Sequence, residues 1–195
     1  MTTDTTPIAS IEQRLDAIQT VLQRHGMQPA EFINTFDELA HEHWVPANGA
    51  GLIARAWTDS AFKQLLLTDG VAAIREAGLS MPSHHRHFVV LENTADIHNV
   101  ICCTLCSCTA FTIIGLPPDW YKELAYRSRV VREARTVLRE MGLDLPAQTQ
   151  IRVWDTTADT RYMVMPQRPS GTDGMTVDQL TALISKDALI GVSLI

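Results

Sequence analysis

The sequence has no cysteine outside one short stretch, and that absence limits what its four cysteines can do. All four lie between positions 102 and 108 of the 195 residues. No distant cysteine is available for a bridge, and a disulfide inside so short a loop would be strained. A disulfide framework is therefore excluded, and clustered cysteines agree with a reducing compartment.

The sequence also lacks an excess of positive charge and a long apolar run. Its net charge is −6 at pH 7, which argues against a nucleic-acid-binding surface. No 18-residue apolar stretch could cross a membrane, and Met1–Pro7 show no signal-peptide pattern. A composition of 46% hydrophobic and 19% charged residues is enough for a sizeable core. We therefore expect a cytoplasmic protein with no nucleic-acid or membrane partner.

The cysteine cluster reads Cys-Cys-Thr-Leu-Cys-Ser-Cys over positions 102–108. With disulfides excluded, soft-metal ligation or redox chemistry remains. The C-x-x-C-x-C spacing can turn the sulfurs of Cys103, Cys106 and Cys108 toward one centre. Its neighbour Cys102 is predicted to be a buried free thiol, because adjacent residues of a strand face opposite ways.

Two kinds of metal site fit this spacing. A zinc site would take a fourth ligand from Cys102, His98 or elsewhere. The alternative donors are the main-chain nitrogens of Ser107 and Cys108, which the tight bend brings toward the centre. An amide nitrogen ligates only when it is deprotonated, so this second site calls for a strongly Lewis-acidic trivalent ion. The spacing alone leaves both open.

The chain before the cluster is predicted to be helical. Residues 1–9 are Thr-rich and expected to be frayed. Ser10 and Gln13 form a capping-box pattern, an apolar stripe ends at Gly26, and Pro29 suits the start of a second helix. We place an N-terminal helical arm at 1–48 and a second domain at 49–195. A break at Asn48–Gly51 precedes helices predicted at 50–57, 60–67 and 71–77.

The rest of the chain mixes strands and helices. Strands are predicted at 88–91 and 100–102, and two more at 151–154 and 162–165, paired as a hairpin across residues 155–160. Helices are predicted after Pro117-Pro118, over 123–141, and over 176–185 with Thr176 as N-cap. Because helices and strands segregate along the chain, the fold class is α+β.

The sequence Cys103–Cys108, followed by the segment 114–122, resembles the alpha subunit of nitrile hydratase. The segments Tyr126–Glu133 and Pro166–Gly174 extend the resemblance, which runs from about residue 56 to residue 192. It implies a layered α/β/β/α-like catalytic domain. It also implies an arm that lies against a partner subunit. In that family the activity is the hydration of nitriles to amides, a lyase reaction.

The resemblance implies a metal claw and two modified cysteines. Its metal ligands fall on Cys103, Cys106, Ser107 and Cys108. Thr104 favours Co(III), one per chain, with Fe(III) as the alternative. Cys106 would be a cysteine sulfinic acid and Cys108 a cysteine sulfenic acid. The sulfenate oxygen is a candidate nucleophile, and the Ser107 hydroxyl is a candidate for ordering a water.

Five further residues are candidates by position. Phe111 and Thr112 stand where the family usually has tryptophan and proline, so they are expected to line a reshaped substrate pocket. An ungapped comparison puts His84 where the family has a glutamine near the metal; the alternative is a solvated loop. Arg161 and Arg132 are predicted partner-interface residues, and a solvated surface is the alternative for both.

The predicted function is that of the metal-bearing alpha subunit of a nitrile hydratase. The unusual pocket segment indicates a specialised substrate such as a nucleoside nitrile. The expected partners are beta subunit(s), which supply the arginines that pair with the oxidised sulfurs, and a metal-insertion activator. The alternatives are the related gamma subunit of thiocyanate hydrolase and a non-catalytic zinc or redox module.

Overall fold

The structure is a computed structural model that describes residues 9–195. The chain divides into two compact units, Met1–Glu42 and His43–Ile195. The sequence places the boundary six residues later, and the two-domain organisation stays a prediction. The expected fraying of residues 1–9 falls, apart from residue 9, outside the described part. Within residues 9–195 no helix is both long and apolar enough to span a membrane.

The first unit contains two helices, α1 (Ile11–Arg24) and α2 (Pro29–Glu38). The predicted capping box is confirmed: the amide of Gln13 donates to Ser10 Oγ, and the amide of Ser10 donates to Gln13 Oε1. Neither helix has a buried residue. The large apolar side chains of both helices are exposed, among them Ile11, Leu15, Ile18, Val21, Phe32 and Ile33. A single π-helical turn, Leu39–His43, follows α2.

Three helices open the second unit: α3 (Pro46–Thr58), α4 (Ser60–Thr68) and α5 (Gly70–Glu76). The predicted break at Asn48–Gly51 is wrong, because α3 runs through it. Gly49 is buried there, and a Cβ on it would lie 3.0 Å from side chains of Ile114 and Met163. Gly49 therefore permits close helix packing rather than a turn.

Four strands form two separate parallel pairs. The strands are β1 (His87–Glu92), β2 (Ile97–Cys102), β3 (Gln150–Asp155) and β4 (Thr160–Met165). β1 pairs with β4, and β2 pairs with β3. The register of the second pair sets Cys102 opposite Asp155. The strand that leads into the cysteine cluster therefore ends beside a carboxylate from the far end of the chain.

The predicted hairpin between β3 and β4 is wrong. Each strand instead pairs with an earlier strand, and the segment between them crosses from one sheet to the other. Thr156 donates both its amide and its hydroxyl to the carbonyl of Cys102, which extends the β2–β3 ladder past Asp155. These bonds to β2 take the place of a turn that would return the chain beside β3.

Five shorter or later helices complete the second unit: α6 (Phe111–Ile114), α7 (Asp119–Lys122), α8 (Leu124–Glu140), α9 (Val177–Leu183) and α10 (Lys186–Ile190). α6 was not predicted. The helix predicted over 176–185 ends at Leu183, because Ile184 is extended, and Ser185 caps a further helix, α10, that was not predicted. Thr176 caps α9 as predicted. α8 is kinked at Glu133, whose φ is −138° and ψ 43°.

The hydrophobic core lies between helices and sheets of the second unit. α4 and α5 pack on β1, α8 packs on β2 and β3, and contacts between β1 and β2 join the sheets. The largest fully buried side chains come from every layer: Tyr121, Ile53, Leu66, Ile101, Ile113, Leu138, Met163, Leu180 and Leu189. The α+β class predicted from the sequence is confirmed.

Candidate metal centre

Three cysteine sulfurs converge where β2 ends. Sγ of Cys103 lies 3.5 Å from Sγ of Cys106 and 3.6 Å from Sγ of Cys108, and the last two are 2.9 Å apart. Among residues 9–195 this is the one group of three His, Cys, Asp or Glu side chains arranged to hold a metal ion. Cys103 is buried, Cys108 half-buried and Cys106 exposed, so the centre is open on one side.

The spacing of the sulfurs tests which metal geometry the residues suit. With a metal–sulfur bond of about 2.3 Å, tetrahedral zinc would hold thiolates about 3.8 Å apart. At the same bond length, right-angled octahedral ligands would be about 3.3 Å apart. Two of the observed distances, 3.5 and 3.6 Å, lie between these values, and the third, 2.9 Å, lies below both. The three sulfurs are therefore close enough for one metal ion to contact all of them, and the choice between the two geometries rests on the other donors.

The main chain of the loop turns inward at Ser107. Its φ is +58°, and it is the one non-glycine residue within 9–195 with a positive φ. Only glycine adopts this conformation freely, so the turn stores strain of about 1–2 kcal/mol. The amide of Cys106 donates to Sγ of Cys103 at 3.3 Å, and the amide of Cys108 also points at that sulfur. Main-chain N–H groups therefore face the sulfur of Cys103. Of the two nitrogens that the claw would use, those of Ser107 and Cys108, the second is among them.

The loop gives its cysteines different acidities. Burial opposes ionisation of Cys103, but the amides of Cys106 and Cys108 and their thiols stabilise its thiolate, which lowers its pKa to about 7. Burial and the hydrogen bonds from Cys106 and Cys103 raise the pKa of Cys108 to about 12. Because the thiolate is the metal-binding form, Cys103 is the cysteine prepared to bind first.

Cys102 is buried and does not join the sulfur group. Burial is the main cause that raises its pKa to about 12, and the nearby Asp155 and Cys103 add smaller contributions. It remains a protonated thiol at neutral pH. The prediction of a buried free thiol at this position is confirmed.

The structure brings His85, rather than His84, against the candidate pocket. His84 is exposed, whereas His85 is 6% exposed and its ring centroid lies 5.8 Å from that of Phe111. Nδ1 of His85 is buried without a hydrogen-bond partner. Burial, Arg161 and His84 lower the pKa of His85 to about 4, so the ring is neutral at pH 7.

Phe111 and Thr112 form the start of α6, directly after the cysteine loop. The ring of Phe111 contacts Trp44 edge to face with centroids 4.9 Å apart, as well as His85. The hydroxyl of Thr112 is buried and has no partner among the described residues. The segment therefore sets an aromatic ring against His85 and leaves one buried hydroxyl unpaired; its role in lining a polar substrate pocket stays a prediction.

The two predicted interface arginines occupy different environments. Arg161 is 5% exposed, and its Nη1 donates to the carbonyls of Thr157 and Thr160. Its Nε has no partner among the described residues. Its charge adds to the effect of burial in lowering the pKa of His85, and it partly opposes the burial that raises the pKa of Cys108. Arg132 is exposed and donates to the carbonyl of Ser128 in its own helix. The partner contacts predicted for both arginines stay predictions.

Residues that the sequence did not single out hold the loop in place. Arg127 donates to the carbonyls of Cys103 and Thr104, and Asp155 accepts from the amide and hydroxyl of Thr104. Tyr126 Oη donates to the carbonyl of Ile101 at 2.7 Å. The sequence analysis did not single out Arg127, and it placed Asp155 in a hairpin turn. Only the parallel pairing of β2 with β3 would have revealed Asp155.

The chain matches known proteins along nearly all its length. A sequence model of the family described as nitrile hydratase, alpha chain, matches residues 9–193. The nitrile hydratase subunit alpha of Rhodococcus sp is 45% identical over 183 residues, covering 93% of this chain and 92% of that protein. The alpha subunit of the low-molecular-weight cobalt-containing nitrile hydratase of Rhodococcus rhodochrous is 44% identical over 183 residues, covering 94% and 88%.

A solved structure and a second enzyme extend the comparison. An iron-type nitrile hydratase from Comamonas testosteroni Ni1, with two adjacent histidines replaced by alanine, superposes with a TM-score of 0.89 at 57% identity. It covers 97% of this chain and 92% of that one. The gamma subunit of thiocyanate hydrolase from Thiobacillus thioparus is 40% identical over 187 residues, covering 91% of this chain and 76% of that protein. With its sulfur-rich loop, its fold and these identities, the chain belongs to the nitrile hydratase alpha chain family.

Proposed function

We propose that this chain is the metal-bearing alpha subunit of a nitrile hydratase, which adds water to a nitrile to give the amide. The observation that carries the proposal is the loop itself. Its three sulfurs lie within reach of one ion, its main chain takes a strained turn at Ser107, and two of its amides face the sulfur of Cys103. A trivalent ion held there would supply the Lewis acidity that polarises a nitrile or acidifies a water.

The ligand set we propose is the thiolates of Cys103, Cys106 and Cys108 with the amide nitrogens of Ser107 and Cys108. Differences in exposure support the predicted modifications. Cys106 is exposed and Cys108 half-buried, whereas Cys103 is fully enclosed. An oxidant therefore reaches the two cysteines proposed to become sulfinic acid (Cys106) and sulfenic acid (Cys108), and Cys103 stays a thiolate.

The observations that bear on the identity of the metal favour different ions. Thr104 and the cobalt-containing Rhodococcus rhodochrous relative favour Co(III). The iron-type structure, at 57% identity, favours Fe(III). The hydroxyl of Thr104 bonds Asp155, and a serine could make the same bond, so position 104 is weak evidence on its own. We keep Co(III) as the predicted ion and Fe(III) as the alternative. Metal analysis of the assembled enzyme decides between them.

Arg161 is placed to favour negative charge at Cys108. Its guanidinium is buried, and its charge partly opposes the burial and the hydrogen bonds that raise the pKa of Cys108. The same charge would favour a sulfenate at that position. The sulfenate oxygen is our candidate nucleophile toward the nitrile carbon. The Ser107 hydroxyl donates to the carbonyl of Cys106, and its oxygen still has acceptor sites with which to order a water.

His85 is the histidine that the geometry favours for orienting substrate or water. It is neutral at pH 7, nearly enclosed, and has an unpartnered Nδ1 beside Phe111. His84 lies next to it, with ring centroids 4.3 Å apart, and stays a weaker candidate. The sequence has one adjacent histidine pair, His84-His85, and the Comamonas structure carries substitutions of two adjacent histidines.

We predict that His85→Ala lowers kcat about tenfold or more at unchanged metal content, since positioned acid–base or orienting groups typically contribute 10²–10⁴-fold. His84→Ala should also lower turnover, but by less, because that side chain is exposed. His87→Ala, in the same segment and exposed, is the matched control. Steady-state kinetics of the assembled enzyme with metal analysis measures this. Unchanged turnover in His85→Ala would remove the role.

The proposed partner is a beta subunit, with one or two chains left open. The exposed apolar residues of α1 and α2 have no core of their own, which supports a protein partner for the arm. Arg132 is proposed for the same interface. A metal-insertion activator and a cytoplasmic location remain proposals from the sequence. Without the partner's arginines, the isolated chain is expected to have little or no activity.

A specialised nitrile remains our proposal for the substrate, with a nucleoside nitrile such as toyocamycin as the example. The wall at Phe111 and the free hydroxyl of Thr112 support a pocket that is polar as well as aromatic. The second candidate function is thiocyanate hydrolysis, favoured by the 40% identity to the Thiobacillus gamma subunit. A zinc or redox module is the third.

One preparation tests these alternatives together. The chain is co-expressed with its beta subunit, and metal content is measured alongside mass spectrometry of the peptide holding residues 103–108. We expect one cobalt or iron per chain, with two added oxygens on Cys106 and one on Cys108. Amide from a nitrile supports the hydratase, and carbonyl sulfide with ammonia from thiocyanate supports the alternative. Stoichiometric zinc with three unmodified thiols would refute both.

A further inference from the structure

One peptide group in the loop is held at both ends by opposite charges. Nε of Arg127 donates to the carbonyl of Cys103 at 2.9 Å. The amide of Thr104, which belongs to the same peptide group, donates to Oδ1 of Asp155 at 2.9 Å. Arg127 comes from the first turn of α8 and Asp155 from the end of β3. The peptide is therefore fixed between two packed elements rather than by the loop itself.

Each charged side chain makes a second bond to the next group along the chain. Nη2 of Arg127 donates to the carbonyl of Thr104 at 2.6 Å, and the hydroxyl of Thr104 donates to Oδ2 of Asp155 at 2.6 Å. The amide, carbonyl and hydroxyl of Thr104 are thus all occupied. Two-pronged bonds of this kind fix direction as well as distance, which a single exposed ion pair would not do.

The peptide so held carries the first and most deeply buried sulfur of the site. Cys103 has no exposed surface, and its sulfur accepts the amide of Cys106. The strained turn at Ser107 follows four residues later. Strain persists only where the surroundings over-determine the backbone. The bonds of Arg127 and Asp155 supply that restraint at the start of the loop.

We propose that Arg127 and Asp155 are positioning residues, which keep the claw arranged for its metal by clamping the peptide group between Cys103 and Thr104. The inference rests on the proposed claw. A site arranged before binding loses less conformational entropy when it binds and releases its ligand less readily. The clamp therefore governs how firmly the loop retains the ion and how its sulfurs are oriented around it.

The opposite charges of the pair separate positioning from simple electrostatics. If the charges acted only through their fields, loss of the cation at Arg127 and loss of the anion at Asp155 would change metal retention in opposite directions. If they position the loop, both losses weaken retention. Because both side chains hold one peptide group, the double variant should retain metal almost as well as the single variant that retains it less well.

The test compares Arg127→Gln, Asp155→Asn, the double variant and Arg127→Lys in the assembled enzyme. Arg139→Gln, an exposed arginine of the same helix with one long ion pair to Asp144, is the matched control. The measurements are metal per chain, the rate of metal loss to a chelator, and the sulfur-to-metal absorption band. Each neutral single variant should lose metal at least about tenfold faster, as expected when a charged hydrogen-bonding group is removed.

The Arg127→Lys variant separates the effect of the two-pronged hydrogen bonding of Arg127 from the effect of its charge. Arg127→Lys keeps the charge but can reach one carbonyl at a time, so it should restore retention only in part and leave a shifted absorption band. The thermal midpoint of every variant is measured, and Arg127→Lys serves as the test if the glutamine variant fails to assemble. Retention and spectra equal to Arg139→Gln, or opposite shifts from Arg127→Gln and Asp155→Asn, would overturn the clamp and leave the proposed hydratase standing. Tetrahedral zinc in the unmodified chain would instead refute the proposed function.

Discussion

A single residue, His98, shows how a buried polar group is made to fit. Its Nε2 donates to the carbonyl of Gly191 at 2.8 Å, so its Nδ1 accepts from the side-chain amide of Asn93 at 3.2 Å. The oxygen of Asn93 in turn accepts from both the amide and the side chain of Asn99. A proton on Nδ1 would face the side-chain NH₂ of Asn93, which is also a donor. If the Asn93 amide turned over to offer its oxygen instead, both bonds that this oxygen accepts from Asn99 would break. The network therefore requires the neutral ring.

This arrangement predicts that stability falls in mild acid. Burial lowers the pKa of His98, although the bond to Gly191 opposes the shift. In the unfolded chain the residue titrates near 6.5, so below that pH the unfolded state binds a proton that the folded state resists. The stabilising contribution is complete above about pH 6.5 and declines as the pH falls toward the folded pKa, by at most about 1.4 kcal/mol per pH unit.

Urea unfolding of the chain between pH 5 and pH 8 measures this effect. His98→Gln should show a shallower loss of stability in acid, because it removes the titrating group. His85, whose pKa is also lowered, contributes in the same direction and should leave part of the slope in place. An identical pH slope in His98→Gln and the unmodified chain would show that His98 does not carry the effect.

At the scale of elements, α8 connects the sulfur site to the sheet beneath it. Its first turns place Tyr126 and Arg127 against the carbonyls of the β2 end and the cysteine loop. Its later turns place Arg135 over the connection to β3, where the guanidinium donates to three carbonyls, those of Leu145, Pro146 and Thr149. One helix therefore fixes both the loop and the strand that carries Asp155.

We predict that Arg135→Met destabilises the second unit by about 2–3 kcal/mol, since three carbonyls, two of them in part-buried hydrogen bonds, lose a charged donor. Arg139→Met should change stability by no more than about 0.5 kcal/mol, because its ion pair is exposed. Chemical denaturation of both variants, compared with the unmodified chain, provides the measurement. Equal effects of the two substitutions would mean that the bonds of Arg135 contribute no more than a surface arginine.

At the scale of the whole molecule, the buried core and the sulfur site both belong to the unit His43–Ile195. The core residues begin at Ala50, and α1 and α2 bury nothing within the described chain. Exposed apolar side chains that run along two helices are normally covered by another protein surface. The arm is thus expected to serve assembly rather than the folding of the catalytic unit.

Deletion of residues 1–42 should therefore leave the thermal midpoint of the second unit within a few degrees of the full chain, while its binding to the beta subunit weakens. Differential scanning calorimetry measures the first, and co-purification with the beta subunit measures the second. A matched variant with Ile11, Leu15 and Ile18 changed to serine tests the apolar stripe without the deletion. A truncated chain that unfolds, or one that assembles normally, would contradict this division of roles.

The sequence by itself determined the features whose parts are neighbours in the chain. Cys103, Cys106 and Cys108 lie within six positions, so any compact loop brings their sulfurs together. The caps at Ser10 and Thr176 are equally local, because a helix start needs only a side chain three residues away from its partner. The α+β class followed from the order of helical and strand patterns.

The tertiary structure decided everything that depends on distant partners. Asp155 reaches the loop because β3 pairs in parallel with β2, a pairing that no local pattern encodes and that the predicted hairpin missed. The burial of His85 beside Phe111, with His84 in solvent, depends on how a loop packs on α6. The same holds for the segment at Asn48–Gly51, where close packing against Ile114 and Met163 keeps glycine inside a helix. Local chemistry therefore specified the ligands, and long-range packing specified the residues that hold them.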